Sequence, residues 1–123
     1  MSYICHMIKG VPYCRNKTRG DTNAPARWTE SVAEQTKDLP KITSPCLMKV
    51  TFFLPANKFP SDLPHGPDLD NLLKRFMDAL KKTVFSEAEG CDSCVVAITA
   101  TKTKVGSDSE AGAHLEILPF DVM

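Results

Sequence analysis

Apolar and polar residues alternate most cleanly between Cys46 and Leu54. Cys46, Met48, Val50, Phe52 and Leu54 fall on one side, and Leu47 and Phe53 on the other. A period of two belongs to a strand, and apolar residues on both sides predict a central strand covered on both faces. A helical period follows from Asp70 to about Lys82, where Leu73, Phe76 and Leu80, flanked by Leu72 and Met77, make an apolar stripe. Asp70 is placed as the N-cap of this helix. Ahead of it, Pro67 fixes its own φ and steers Gly66 away from helix, so the approach is extended or turn-like.

The remaining segments fill in around these two. Tyr3 to Ile8 is short, apolar and partly β-branched, and predicts an opening strand. Lys9 to Asn23 is a polar loop broken by Gly10, Pro12 and Gly20. A helix begins near Pro25 and runs to about Lys37, with Trp28 and Val32 four apart on its apolar face. That spacing reads Trp28 as a packing residue rather than a base-stacking one. Three prolines interrupt 55–64. Cys94 to Lys104, rich in Val, Ile and Thr, predicts another strand, and Ala113 to Leu118 a last one paired with it as a hairpin. The order is β-α-β-α-β-β, which predicts an α+β fold over 1–123: a single domain with one mixed sheet and two helices packed on it.

Composition narrows the class without naming a chemistry. The 123 residues are 42% hydrophobic and 24% charged, which is the balance of a globular domain with its own core. Formal net charge is zero, but the charges are unevenly spread. Lys9 to Arg27 holds five basic residues and one acid, while Val84 to Met123 holds two basic residues and seven acids. Such asymmetry allows, without demonstrating, a local phosphate-binding surface in the first segment, where Arg15, Lys17 and Arg19 alternate. No run is long enough for a membrane span. Five cysteines with no signal-like leader lead to the expectation of an intracellular protein with reduced thiols, in a prokaryotic cytoplasm, a nucleus or an organelle.

Candidate chemistry collects at Asp68-Leu69-Asp70. Residues two apart in an extended run project together, and Lys74, one helical turn beyond Asp70, returns over the same place. Two carboxylates and an ammonium at a helix N-terminus suit a divalent cation and a phosphate, although acids at an N-cap are also ordinary capping. A third acid would strengthen the site; Asp92, before the next strand, is the first choice, with Glu87 and Glu89 as alternatives. Cys91-x-x-Cys94 lacks a second ligand pair at regular spacing, since Cys5, His6, Cys14, His65 and His114 are scattered, so no structural zinc is expected.

These residues resemble the RusA-type Holliday junction resolvases. The likeness is carried by Asp68-Leu69-Asp70-Asn71-Leu72-x-Lys74, then Phe76-x-Asp78-Ala79-Leu80-x-Lys82, then Asp92-x-x-Val95-Val96. The resemblance implies a homodimeric, metal-dependent endodeoxyribonuclease acting on four-way DNA junctions in recombination or repair. It implies Mg²⁺, with Mn²⁺ as an alternative, held by Asp68, Asp70 and Asp92. It further implies a catalytic Lys74, an orienting Asn71, and DNA contacts from Arg15, Lys17, Arg19 and Lys74. Here the family's acidic pair is replaced by Cys91-Asp92 after an insertion holding Glu87, Glu89 and Gly90, and the chain is neutral where members are commonly basic. An alternative is therefore a member that binds nucleic acid or protein without turnover.

Overall fold

The computed structural model describes residues 3–14, 18–57 and 66–120. These form β1 (Ile4–Lys9), α1 (Ala24–Thr36), β2 (Cys46–Pro55), α2 (Leu69–Leu80), β3 (Val95–Val105) and β4 (Gly112–Pro119). The element order and the α+β class are those expected from the pattern. The sheet order is β1-β4-β2-β3. β4 runs antiparallel to both β1 and β2, and β3 runs parallel to β2.

The expected hairpin between β3 and β4 is not formed, because β2 lies between them. The physical reason lies in the strands' sides. β2 buries Cys46, Met48, Val50, Phe52 and Leu54 and gains most from pairing along both edges. The largely exposed, Thr-rich β3 tolerates the sheet edge, where polar residues discourage unwanted pairing. Gly112 makes the β1–β4 contact possible. Its φ is +155°, and a Cβ there would stand 2.1 Å from the Ile8 carbonyl oxygen.

Both helices pack on one face of the sheet. In α2 the buried stripe is Leu72, Phe76, Met77, Ala79 and Leu80, so it centres on Leu72 rather than Leu73. Phe76 joins the layers: its ring stands 6.4 Å from Trp28 of α1, nearly parallel, and 5.5 Å from Phe52 of β2, edge-on. Truncating such a residue typically costs about 3–5 kcal/mol. Trp28 is 2% exposed and is a core residue, as its spacing indicated. Farther along, the Thr36 hydroxyl donates to the Val32 carbonyl and lies 2.7 Å from the Thr83 hydroxyl, tying α1 to the segment after α2.

The other face of the sheet does not match the expected double covering. Among the described residues no second layer packs on it. Leu47 and Phe53 are half-buried there, Lys49 is exposed, and Tyr3 and Leu118 are largely exposed.

Candidate functional site

α2 begins two residues earlier than an N-cap at Asp70 indicated. Leu69 is its first residue and Asp68, with φ −68° and ψ 132°, is the N-cap, so Asp70 lies inside the first turn. Gly66, at φ +88°, makes the turn ahead of Pro67. The turn is fastened from the sheet edge, where the Lys102 ammonium donates to the Pro67 carbonyl at 2.8 Å. Thus β3, remote in sequence, holds the segment that presents the carboxylates.

Asp68, Asp70, Asn71 and Lys74 are all exposed. Asn71 contacts both acids: its side-chain amide donates to Asp68 Oδ2 at 3.3 Å, and its backbone N–H to Asp70 Oδ1 at 2.9 Å. Neither carboxylate forms an ion pair among the described residues. The unpaired N–H groups of a helix's first turn favour negative charge there. The result is two carboxylates held by neutral donors, with no cation paired to them among the described residues.

A groove of about 470 Å³ runs along α2 from this end. Asn71, Lys74, Arg75 and Asp78 line it from the helix and Lys82 from just beyond its end, so it carries three cations and one acid. Arg75 is steadied by donating from Nε to the Thr29 hydroxyl at 3.2 Å. Cys14 lines the same groove, which brings the chain just before Arg15 to its wall. Arg15 and Lys17 lie outside the described residues, as does His65. Arg19 is exposed on the far side of that gap. Arg75 did not stand out in the sequence, and Lys82 enters there only as part of the family motif, with no role in binding assigned to it. The signal was available, since Asn71, Lys74, Arg75, Asp78 and Lys82 recur at three- and four-residue spacing on one helical face.

Asp92 is not brought to Asp68 and Asp70. Gly90 and Cys91 both take left-handed backbone angles, φ +73° and +53°, and turn the chain into a short 3-10 segment, Cys91–Cys94. That segment places Asp92 Oδ2 3.8 Å from Lys81 Nζ, and Asp78 Oδ1 lies 3.1 Å from the same ammonium. The hydrogen bond to Asp78 first, and the charge of Asp92 second, raise the Lys81 pKa above its ordinary value. Lys81 follows directly on the last residue of α2. A helix of 12 residues is about 18 Å long at 1.5 Å per residue, so Asp92 and the first two acids stand at opposite ends. Glu87 and Glu89 are exposed on the same connection after α2. Among the described residues, Asp68, Asp70 and Asp92 do not form a three-residue ligand group; the group that does arise is Cys5, His114 and Glu116 on the open sheet face.

The cysteines near Asp92 behave as packing residues. Burial first, and then neighbouring Cys94, push the Cys46 thiol up to about 12. Burial also raises Cys94, whose Sγ lies 3.5 Å from the Cys91 carbonyl oxygen. Thiols held protonated are poor nucleophiles and poor redox centres.

The sequence profile described as endodeoxyribonuclease RusA matches residues 12–117, nearly the whole chain. No curated protein matches it. No α-helix among the described residues is long and apolar enough to cross a membrane.

Proposed function

The chain belongs to the RusA endodeoxyribonuclease family, and from that premise we propose that it is a metal-dependent nuclease resolving four-way DNA junctions by paired nicks. The observation that supports metal dependence most directly is the state of Asp68 and Asp70. They are exposed, fixed by Asn71, and paired with no cation among the described residues. Oxygen donors of this kind suit Mg²⁺ or Mn²⁺, and Mg²⁺ commonly takes only one or two carboxylates, completing its shell with water and substrate phosphate. Asp68 and Asp70 are therefore the proposed holders. Asp92, salt-bridged at the other end of α2, stands outside that pair.

A divalent ion bound there supplies a water of lowered pKa and polarises the scissile phosphate. The protein's own groups do the rest. Lys74 brings a point charge to the phosphate beside the carboxylates, where negative charge grows as the bond to the leaving oxygen breaks. Arg75 and Lys82 continue the positive groove away from the carboxylates and hold the phosphate backbone that runs along it. Arg15, Lys17 and Arg19 extend that grip from the loop whose start lines the groove. Asn71 keeps both acids in place and leaves their remaining oxygens open. A two-fold homodimer would present two such sites to a two-fold-symmetric junction, and paired nicks then follow from geometry.

One observation favours a second reading, binding without turnover: the acid offered as the third ligand is engaged by Lys81 instead. Labelled four-way junctions incubated with the protein in Mg²⁺, in Mn²⁺ and with chelator separate the two. The nuclease reading expects metal-dependent paired cleavage that Asp70→Asn reduces to the chelated background. Tight junction binding with no cleavage in either metal overturns it and leaves the second reading.

A further inference from the structure

The open face of the sheet carries a chemistry that the nuclease site does not use. β1 and β4 are paired in an unbroken antiparallel register, with Cys5 directly opposite Glu116 and Met7 opposite His114. Residues two apart on a strand share a face, so Cys5, Glu116 and His114 project together on the side away from the helices. Cys5 Sγ lies 3.7 Å from His114 Nε2, and His114 Nδ1 lies 3.7 Å from Glu116 Oε1. One donor atom from each of the three residues falls within 4.8 Å of the other two. Tyr3, two residues before Cys5, joins the group. A hydrogen bond with Cys5 first, and the charges of Cys5 and Glu116 after it, raise its phenol pKa.

A 3.7 Å imidazole-to-carboxylate separation is too long for a good N–H···O hydrogen bond, which spans about 2.7–3.2 Å. Cys5 faces Nε2 and Glu116 faces Nδ1, so one ion takes only one of the two nitrogens; what suits an ion is that one donor atom from each residue lies within 4.8 Å of the other two. Zinc bonds of about 2.0–2.3 Å at tetrahedral angles put neighbouring donors roughly 3.3–3.8 Å apart. Sulfur, nitrogen and oxygen together select a borderline-soft ion and disfavour Mg²⁺ or Ca²⁺. Because the register fixes the backbone under all three side chains, closing them on an ion requires side-chain rotations, a turn of the imidazole among them, rather than a change of fold.

We propose that Cys5, His114 and Glu116 form a binding site for one Zn²⁺ per chain, on the open face of the sheet and separate from the Asp68–Asp70 carboxylates. Three protein ligands leave a fourth position for water or an incoming group. Binding deprotonates the Cys5 thiol and releases that proton to solvent, so affinity rises with pH. The ion would join β1 to β4 by side chains in addition to their backbone ladder.

Zn²⁺ titration of the full chain against a chromophoric chelator tests this directly, with Co²⁺ as the spectroscopic stand-in. The expected result is one Zn²⁺ per chain and a cobalt–thiolate charge-transfer band. Cys5→Ser should abolish that band. Cys5→Ser and His114→Ala should each weaken Zn²⁺ binding by at least ~100-fold, beyond the 10–100-fold typical of losing a supporting partner. Zn²⁺ should raise the thermal midpoint of the parent chain and leave that of Cys5→Ser unmoved. Asp70→Asn and the double variant Cys91→Ser/Cys94→Ser should bind as the parent does. The proposal is overturned by the absence of Zn²⁺ binding at micromolar protein. Affinity unchanged in Cys5→Ser or His114→Ala also overturns it, as does loss of binding in Asp70→Asn or in the Cys91/Cys94 double variant. Junction cleavage is not a readout here, so failure of this site leaves the nuclease reading standing.

Discussion

At the C-terminal end of α2, Lys81 stands 3.1 Å from Asp78 and 3.8 Å from Asp92, so the two acids share one ammonium. At the N-terminal end, Asp68 and Asp70 accept hydrogen bonds from Asn71, a neutral residue. Both ends carry two carboxylates within reach of a helix terminus, yet among the described residues only the C-terminal pair has a cation within salt-bridge distance. A carboxylate already paired with an ammonium gains less from an added cation than one facing N–H groups and water. The lesson is that acid clusters near a motif differ by what already neutralises them, and the number of acids is a poor guide.

The largest effect should separate the two ends outright. Asp68→Asn is expected to reduce junction cleavage to the level seen with chelator, whereas Asp92→Asn should keep activity within the same order of magnitude. Equal losses in single-turnover assays of the two variants would break the comparison. Next comes Lys74→Ala, for which a fall in single-turnover rate of about 100-fold is expected, the scale of losing one charge-stabilising donor. Arg75 and Lys82 in the same groove should weaken junction binding instead, with a shallower salt dependence when either is replaced. Asn71→Ala should act through the acids it holds. The metal concentration needed for half-maximal cleavage should rise by roughly 10-fold, with the rate at saturating metal nearly recovered. The smallest effect belongs to Lys81→Ala. Its two pairs lie at the surface, part-exposed to solvent, so urea unfolding midpoints of the variant and parent should coincide within error.

Much of the fold was legible because it is local. The period of two in Cys46–Leu54 and the helical stripe ending at Leu80 reflect which side of a strand or helix meets the core. The burial of Trp28 follows from the same rule, through its pairing with Val32. The Asp68-x-Asp70-Asn71 end of the site was legible for a related reason. Its parts lie within one helical turn, so chain geometry alone assembles them. The N-cap shifted by two residues, from Asp70 to Asp68, without separating either acid from Asn71.

What required the folded chain are the relations between distant residues. Adjacent segments β3 and β4 gave no hint that β2 would come between them, since strand order depends on which strand profits most from two neighbours. Asp92 is close to the motif in sequence and lies at the far end of α2 in space, because the left-handed turn at Gly90–Cys91 comes only after the helix has run its length. Cys5 and His114, 109 residues apart, share no spacing that a motif could record, yet the β1–β4 register sets them 3.7 Å apart. Sequence by itself determined the elements and the single-turn carboxylate site, for periodicity and chain geometry act over a few residues. Tertiary structure decided strand order, which acids are neutralised, and which side chains meet across the sheet, because those depend on long-range burial and register.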